Sequence, residues 1–400
     1  MAQPLFASAL STSPSMEAAT AEAAADLVAG LGGAPELVLG FASAHHAPSM
    51  DDLPSRLLGE TGAGRLVGCS AGAVVSGSEE IEAGPALALL GIRSSGLHVR
   101  ITPLKALRDD SPEGFRVEPQ LELPEDEDLI LLTDPFSFPT GPWLRAQDPI
   151  LSDRQVVGGL ASGGGGPHEH ALWVDDQRLS GGGIALGLGG DVQVLSAVSQ
   201  GCRPVGEPLV VTDCRGNAIL GLRGKPAIPT LLELLGSLPE RDRDLFRRGP
   251  HVGLAVDPTR SQFAASDLLV RNVLGLLPGE DGIGIGDHGI RRGMTIQFML
   301  RDAASASDEL NGLLAERRTL WGAEGGAGAA ALLFTCGGRG SHLFRAPSHD
   351  ARALQEHLGP DLPVAGFFAN GEIGPVSGRP HLHGFTASIG YLAARGTMQP

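Results

Sequence analysis

The sequence predicts an α/β fold of mixed α+β character, with two domains whose mixed sheets are built from repeated strand-helix-strand units flanked by helices. Three observations carry this reading. Three times the chain runs from an apolar strand through a polar exit and a helix to a second apolar strand that ends in a glycine turn. The paired strands stand roughly 30 residues apart, the length of a βαβ unit. At 400 residues the chain is too long for one core, since domains hold roughly 100 to 200 residues. A stretch from 213 to 250, with Pro226, Pro229 and the charged run Glu240 to Arg248, marks the junction between two folding units.

Taken in order, Phe6 to Leu10 reads as a first strand, and Ser13-Pro14 supplies the N-cap and first residue of an Ala-rich helix ending near Gly30. ELVLGFAS, Glu36 to Ser43, is almost continuously apolar, as a strand buried on both faces must be. It runs into His45-His46, a helical spacing of Leu53, Leu57 and Leu58, and the strand RLVGCSAG, Arg65 to Gly72. The second copy is DLILLTDPFSF from Asp128, a helix around Trp143 to Ser152, and QVVGGLASGGGG from Gln155. The third is AAALLFTCGGRG from Ala329, a helix capped by Ser348 and closed by Gly359, and VAGFFANG from Val364. Antiparallel strands fill Ala171 to Ser199, His251 to Asp257 begins another strand, and Ser307 to Trp321 forms a helix with Asp308 and Glu309 in its first turn. The stretch 380–389 reads as one strand carrying His381 and His383 on the same face, with Glu372 beyond the preceding strand.

Right-handed crossovers make each strand pair parallel and gather the loops at the strands' carboxyl ends. His45, His46, Cys69, Ser70, Asp134, Ser162, Cys336, Arg339, Asn370 and Glu372 should then share one functional edge. Ser70 should meet Ser162 there, and Cys336 should neighbour Asn370. Copies one and two are expected to build the first domain's sheet and copy three the second's, with the ligand cleft between the domains.

Composition narrows the function. A net charge of −16 repels phosphate, so neither nucleic acid nor an anionic membrane is expected as a partner. Four cysteines without CxxC spacing read as free thiols of a reducing cytoplasm. The amino terminus lacks a basic n-region and carries Glu17, Glu22 and Asp26 where a signal peptide is apolar, and no run approaches a membrane span.

The motifs SQGCRPVG, LVRN, QFMLRDA, CGGRG and VAGFFANGEIGP, in this order after the GCSAG turn, resemble those of the FIST family. The resemblance covers nearly the whole chain. It implies an amino-terminal FIST domain to about residue 220 and a FIST C-terminal domain beyond it. It further implies an intracellular sensor of small ligands, amino acids among them, and some relatives resemble haem-dependent nitric-oxide sensors. The downstream signalling partner is not legible in the chain.

Several motifs admit a chemical role. Gly68-Cys69-Ser70-Ala71-Gly72 matches the G-x-S-x-G elbow of hydrolases, yet AVVSG after it looks extended where an elbow needs a helix. The same turn offers backbone N–H groups to an anion. Arg339, in Cys336-Gly337-Gly338-Arg339-Gly340, can grip a ligand carboxylate at two points or pair with Glu372. Gly163 to Gly166 with His168 and His170 has the makings of a metal loop, and His381 and His383 of a metal pair, though no spacing selects a haem ligand. The reading is therefore a non-catalytic cytoplasmic small-ligand sensor without a cofactor. Its ligand residues are expected among Cys69, Ser70, Gly72, Ser162, Cys336, Arg339, Asn370, Glu372, His381 and His383. The alternatives are a hydrolase using Ser70 or Cys69 with His45, His46, His381 or His383 as base, and a haem or metal gas sensor.

Overall fold

The computed structural model describes residues 3–111, 114–152, 154–257, 259–260, 262–321 and 328–397. They form two compact units, one of 1–198, 310–382 and 386–400, the other of 199–309 and 383–385. This division does not fall at residue 220, because all three strand-helix-strand copies belong to the first unit.

The first copy contains β1 (Leu5–Ser11), α1 (Met16–Leu31), β2 (Leu37–Ser43), α2 (Leu53–Thr61), β3 (Arg65–Ala71), β4 (Val74–Ser76), β5 (Glu79–Ile81) and β6 (Leu87–Arg93). The second contains β7 (Leu97–Arg108), β8 (Phe115–Glu118), β9 (Asp128–Thr133), α3 (Thr140–Ala146), α4 (Asp148–Leu151), β10 (Val156–Leu160), β11 (Leu172–Val174), β12 (Gln177–Leu179) and β13 (Gly183–Gly190). The third begins with β14 (Val192–Ser199), leaves for the second unit, and returns in α7 (Ala303–Trp321). It continues as β22 (Ala329–Cys336), α8 (Gly340–Phe344), α9 (His349–Leu358), β23 (Val364–Ala369), β24 (Glu372–Val376), β25 (Arg379–His383) and β26 (Ala387–Ala394). Between them lie β15 (Cys202–Arg215), β16 (Ala218–Leu222), β17 (Lys225–Pro226), α5 (Ala227–Ser237), α6 (Glu240–Arg248), β18 (His251–Ala255), β19 (Leu268–Leu277), β20 (Gly282–Ile285) and β21 (Thr295–Arg301).

Each copy centres on a parallel pair, β2–β3, β9–β10 or β22–β23, with an antiparallel return strand (β6, β13 or β26) beside its first member. The short hairpin after each pair does not stay in its own sheet. The β4–β5 hairpin of copy one joins β23 of copy three, β11–β12 of copy two joins β3 of copy one, and β24–β25 of copy three joins β10 of copy two. The three sheets thus exchange hairpins in a cycle. They share one apolar core, to which Phe41, Ile130 and Phe334 contribute from the three first strands. On their other faces, α1 and α2 cover the first sheet, α3 and α4 the second, and α7 and α9 the third.

The copies also share a packing constraint. Gly68, Gly158 and Gly366 stand opposite Gly40, Leu131 and Leu333, and a β-carbon on any of them would lie 2.0, 1.9 or 1.9 Å from that residue's carbonyl oxygen. A side chain cannot be accommodated there without moving backbone.

In the second unit the antiparallel order is β15-β21-β18-β19-β20-β16-β17, and an added pairing of β15 with β16 joins the ends of a six-stranded ring. One face packs Val205, Val252, Ile285, Ile296 and Phe298 with Leu231 of α5 and Phe246 of α6. The other carries a smaller cluster of Cys202, Leu268, Val270 and Met299.

Local details differ from the sequence reading. Helix α1 starts at Met16, and Ser15 caps it by accepting from Ala18 N, so Ser13-Pro14 lie outside. Helix α7 begins at Ala303, which moves Asp308 and Glu309 beyond its first turn. The stretch 380–389 is two strands, broken between His383 and Ala387. Ser348 is the N-cap residue of α9, but its hydroxyl accepts from Glu80 N, and Glu80 itself accepts from Asp350 N and Ala351 N. No helix among the described residues is long and apolar enough to cross a membrane.

Candidate ligand site

Two residues past the three equivalent glycines stand Ser70, Leu160 and Phe368, where the second strands of the copies end. Their N–H groups donate to the hairpin segments that arrive from the next copy: Ser70 to Ala171 O at 2.8 Å, Leu160 to Gly371 O at 2.9 Å and Phe368 to Ala73 O at 3.0 Å. Their carbonyls accept from the turns two residues further on, which hold Gly72, Ser162 and Asn370. Ser162 N donates to Ser70 O and Asn370 N to Leu160 O, each at 3.1 Å. The third link runs through a side chain. Gly72 N donates to Ser162 Oγ at 2.8 Å, and that hydroxyl donates to Phe368 O. A closed ring of hydrogen bonds therefore ties the three copies together at their strand ends. The expected meeting of Ser70 with Ser162 is found here. Cys336 lies opposite Ala369, the residue before Asn370, and Gly337 N donates to Ala369 O at 3.2 Å.

Beside the ring, Asn370 Nδ2 donates to Ala161 O at 3.0 Å and faces His170 Nε2 at 3.4 Å. With Nε2 as acceptor, the imidazole proton sits on Nδ1, which lies 3.6 Å from Asp134 Oδ2. The other oxygen of Asp134 accepts from Phe136 N, Ser137 N and Ser137 Oγ at 2.7 to 2.9 Å. His170 and Asp134 are buried, whereas Phe136 is 52% exposed and stacks on the His170 ring with centroids 5.6 Å apart. Asn370 is exposed. Both hydrogens of its amide nitrogen point inward, which leaves Oδ1 as an acceptor next to the Phe136–His170 stack. The Gly163-Gly164 backbone follows directly on Ser162, with Gly163 at φ +91°, in a bend that Ala71 O and the Ala44 methyl would deny to a larger residue.

The remaining expected residues have other surroundings. The Cys69 side chain is wholly buried in the central core, where burial pushes its thiol well up. Ser70 Oγ donates to Ser162 O at 3.2 Å and accepts from Ala171 N at 3.0 Å, and the strand β4 follows this turn, so the helix of a nucleophile elbow is missing. Cys336 accepts from Gly338 N at its sulfur and from Arg339 N at its carbonyl. Arg339 is fully buried in a two-point ion pair with Asp350, at 2.7 and 2.9 Å. Neither partner foreseen for Arg339, a ligand or Glu372, is the one this pair supplies. Glu372 is fully buried and accepts from Thr386 N and Oγ1 at 3.1 and 2.8 Å. His381 falls in the first unit and His383 in the second. Of the other edge residues, His46 is buried, and burial followed by the His45 charge lowers its pKa. Among the described residues no three His, Cys, Asp or Glu side chains are gathered as a metal site.

Sequence reasoning placed Asp134 at this edge but left His170 in a loop and gave Phe136 no role. The signal available was the phenylalanine two residues past a strand-ending aspartate.

The FIST N domain model matches residues 36–225 and the FIST C domain model residues 227–375. The chain belongs to the FIST family. The two matches meet at residue 226, inside the second unit, so the family boundary and the compact units divide this FIST protein differently. It is 38% identical over 386 residues to an uncharacterized protein of Mycobacterium tuberculosis, covering 95% of this chain and 97% of the relative. It is 37% identical over 383 residues to an uncharacterized protein of Mycobacterium bovis, covering 94% and 96%. FIST domains are associated with the sensing of small ligands.

Proposed function

We propose that this FIST protein is a non-catalytic cytoplasmic sensor of a small polar ligand, an amino acid among the candidates, bound at the gathered strand ends of the first unit. The observation that carries the reading is Asn370. Its amide nitrogen is taken by Ala161 O and His170, so its oxygen is left as an acceptor near the His170 ring, on which the exposed Phe136 stacks. An acceptor next to an aromatic face suits an ammonium group, with the Asp134 carboxylate behind it as a source of negative potential. The glycine backbone after Ser162 supplies N–H donors for a carboxylate. Ser162 and Gly72 shape this site through the ring. Arg339 and Glu372, committed to Asp350 and Thr386, support it from within the fold.

Nothing in the site favours the hydrolase alternative, because the Ser70 hydroxyl is held by backbone partners. Four free cysteines fit a reducing compartment. A signalling protein that reads the bound state completes the proposal.

Calorimetry of the full chain against a panel of amino acids and organic acids tests it. The wild type should bind a member of the panel, Asn370→Ala should bind it at least ~10-fold more weakly, and Phe136→Ala roughly 2- to 5-fold more weakly. Phe136 is exposed, so that variant has little reason to misfold. No binding by any panel member, or equal binding by both variants, overturns the assignment.

A further inference from the structure

The three copies cover the same point of their return strands in different ways. Register places Gly91 of β6 opposite Val38, Gly187 of β13 opposite Leu129 and Tyr391 of β26 opposite Ala331. Val38, Leu129 and Ala331 stand two residues before Gly40, Leu131 and Leu333, which face the three constrained glycines, so Gly91, Gly187 and Tyr391 are equivalent. In copy one, helix α1 covers this point. A β-carbon on Gly91 would lie 2.7 Å from the Leu31 side chain and 3.2 Å from that of Leu27. In copy three, α7 covers it, with Trp321 edge-on to the Tyr391 ring at 5.5 Å and the Arg317 guanidinium carbon 5.1 Å from the ring centre. Copy two does without a helix. A β-carbon on Gly187 would run into the Glu127 carboxylate and lie 3.3 Å from Leu123 Cδ1, so the cover is the non-helical segment 119–127 between β8 and β9.

The exchange leaves room. An α-helix with its side chains is about 10–12 Å across, whereas extended chains pack about 5 Å apart. Between the thinner segment, β8 and the α3–α4 pair, a cavity of about 480 Å³ stays open. Phe115, Val117, Leu121, Trp143 and Ile150 give it apolar walls. Its charged lining is already engaged: Arg116 Nε donates to Glu118 Oε1 at 2.9 Å, and Asp109 Oδ1 accepts from Ser111 N and Oγ at 3.0 and 2.6 Å. β8 is the outer strand of its sheet, paired with β7 alone. Asp109 N donates to Gly114 O, and the alternation of an antiparallel ladder then turns the N–H and C=O of Val117 away from β7.

We propose that this cavity of the first unit binds a small neutral molecule with an aromatic body and an amide group. Phe115 and Trp143 offer rings to an aromatic ligand. The open backbone edge at Val117 matches the paired donor and acceptor of an amide. A ligand charge of either sign would leave water for Trp143 and Leu121, and to reach a counter-charge it must break the Arg116–Glu118 pair or displace Ser111 from Asp109. The inference holds whether or not a ligand binds at Asn370.

Titration of the full chain with benzamide, benzoate and benzylamine, three molecules of similar shape and different charge, followed at the indole N–H resonances, decides the matter. Benzamide should bind at least ~10-fold more tightly than either ion, and it should move the Trp143 resonance while those of Trp173 and Trp321 stay in place. Ile150→Arg, at a position 39% exposed, should weaken binding at least ~10-fold, and Asn370→Ala should bind as the wild type does. Ala146→Phe, which fills the cavity from an exposed position on α3, is the second loss-of-binding variant if Ile150→Arg does not fold. If benzamide leaves the Trp143 resonance unmoved, if either ion binds as tightly, if Asn370→Ala loses binding, or if the folded cavity variants bind as the wild type does, the proposal is overturned.

Discussion

The ring at the strand ends of the first unit and the interior of the second bury polar groups in opposite ways. In the ring, Ser70, Ser162 and the Asn370 amide nitrogen find partners on the chain, and those partners lie in another copy of the repeat. In the second unit, the buried Gln200 amide and the His251 Nδ1 atom find none among the described residues. A buried polar group with its partners on the chain is accounted for by folding. One without them is not. The difference separates polar side chains that folding satisfies from those it leaves without a hydrogen bond among the described residues, although both kinds stand at turns and strand ends.

The largest effect is expected where a buried, ion-paired group in the first unit is removed. Arg339 and Asp350 are both buried and bonded at two points, and Thr335 Oγ1 also donates to Asp350. Arg339→Met leaves the Asp350 charge without its guanidinium in a dry site. That should cost about 3–5 kcal/mol in urea unfolding, a large share of a typical domain's stability. Arg339→Met combined with Asp350→Leu should regain most of the loss. A cost below about 1 kcal/mol for the single variant would break the contrast, because pairing would then not explain burial.

Much of this was legible beforehand. The glycine turns after apolar strands located Ser70, Ser162 and Asn370, and the copies' spacing marked the parallel pairs, because close packing fixes those residue types locally. The hairpin exchange was not legible. β4, β5, β11 and β12 are three residues each, too short for a pattern that names the sheet edge they will join. Arg339 could be seen to need an anion, but its partner sits eleven residues on, within α9, where Asp350 also reads as an ordinary acidic residue of a first helical turn. Gln200 stood inside a recognised motif. Its lack of a partner is a property of the packed unit, which no local pattern encodes.

Glu80 sharpens the comparison, because it is an incompletely partnered carboxylate in the first unit. Its Oε1 accepts the α9 amides of Asp350 and Ala351, while Oε2 has no partner among the described residues. Burial, and then the nearby Asp350 charge, raise its pKa from an ordinary 4.5 to about 7. The folded state thus holds this proton to higher pH than the unfolded chain does. The contribution is full below about pH 4.5 and is lost as pH rises through about 7. At pH 7.5 Glu80→Gln should be more stable than wild type by up to ~3 kcal/mol, and near pH 4.5 the gap should close. Asp350 stays ionised across this window, since Arg339 holds its carboxyl well below the usual range. Parallel stability-versus-pH curves for the two proteins would refute the assignment.

The smallest effect belongs to the ring itself, and it tests whether the ring is a device of folding. Two of its three links are backbone to backbone, and the third passes through the Ser162 hydroxyl, from Gly72 N to Phe368 O. Ser162→Ala removes that link and no other. Gly72 is exposed, so its N–H can turn to water, whereas the Phe368 carbonyl lies at the end of a buried strand. One group rather than two is therefore left unsatisfied, and the expected cost is about 1–2 kcal/mol. The loss should also be local. Amide exchange should quicken at Gly72 and in β4, which depends on this junction to reach β23, before it changes in β9 or β13. If exchange rises evenly through all three sheets, the third link is not a separate element of the ring. If stability is unchanged, the hydroxyl is incidental to folding, and the ring needs only its two backbone links.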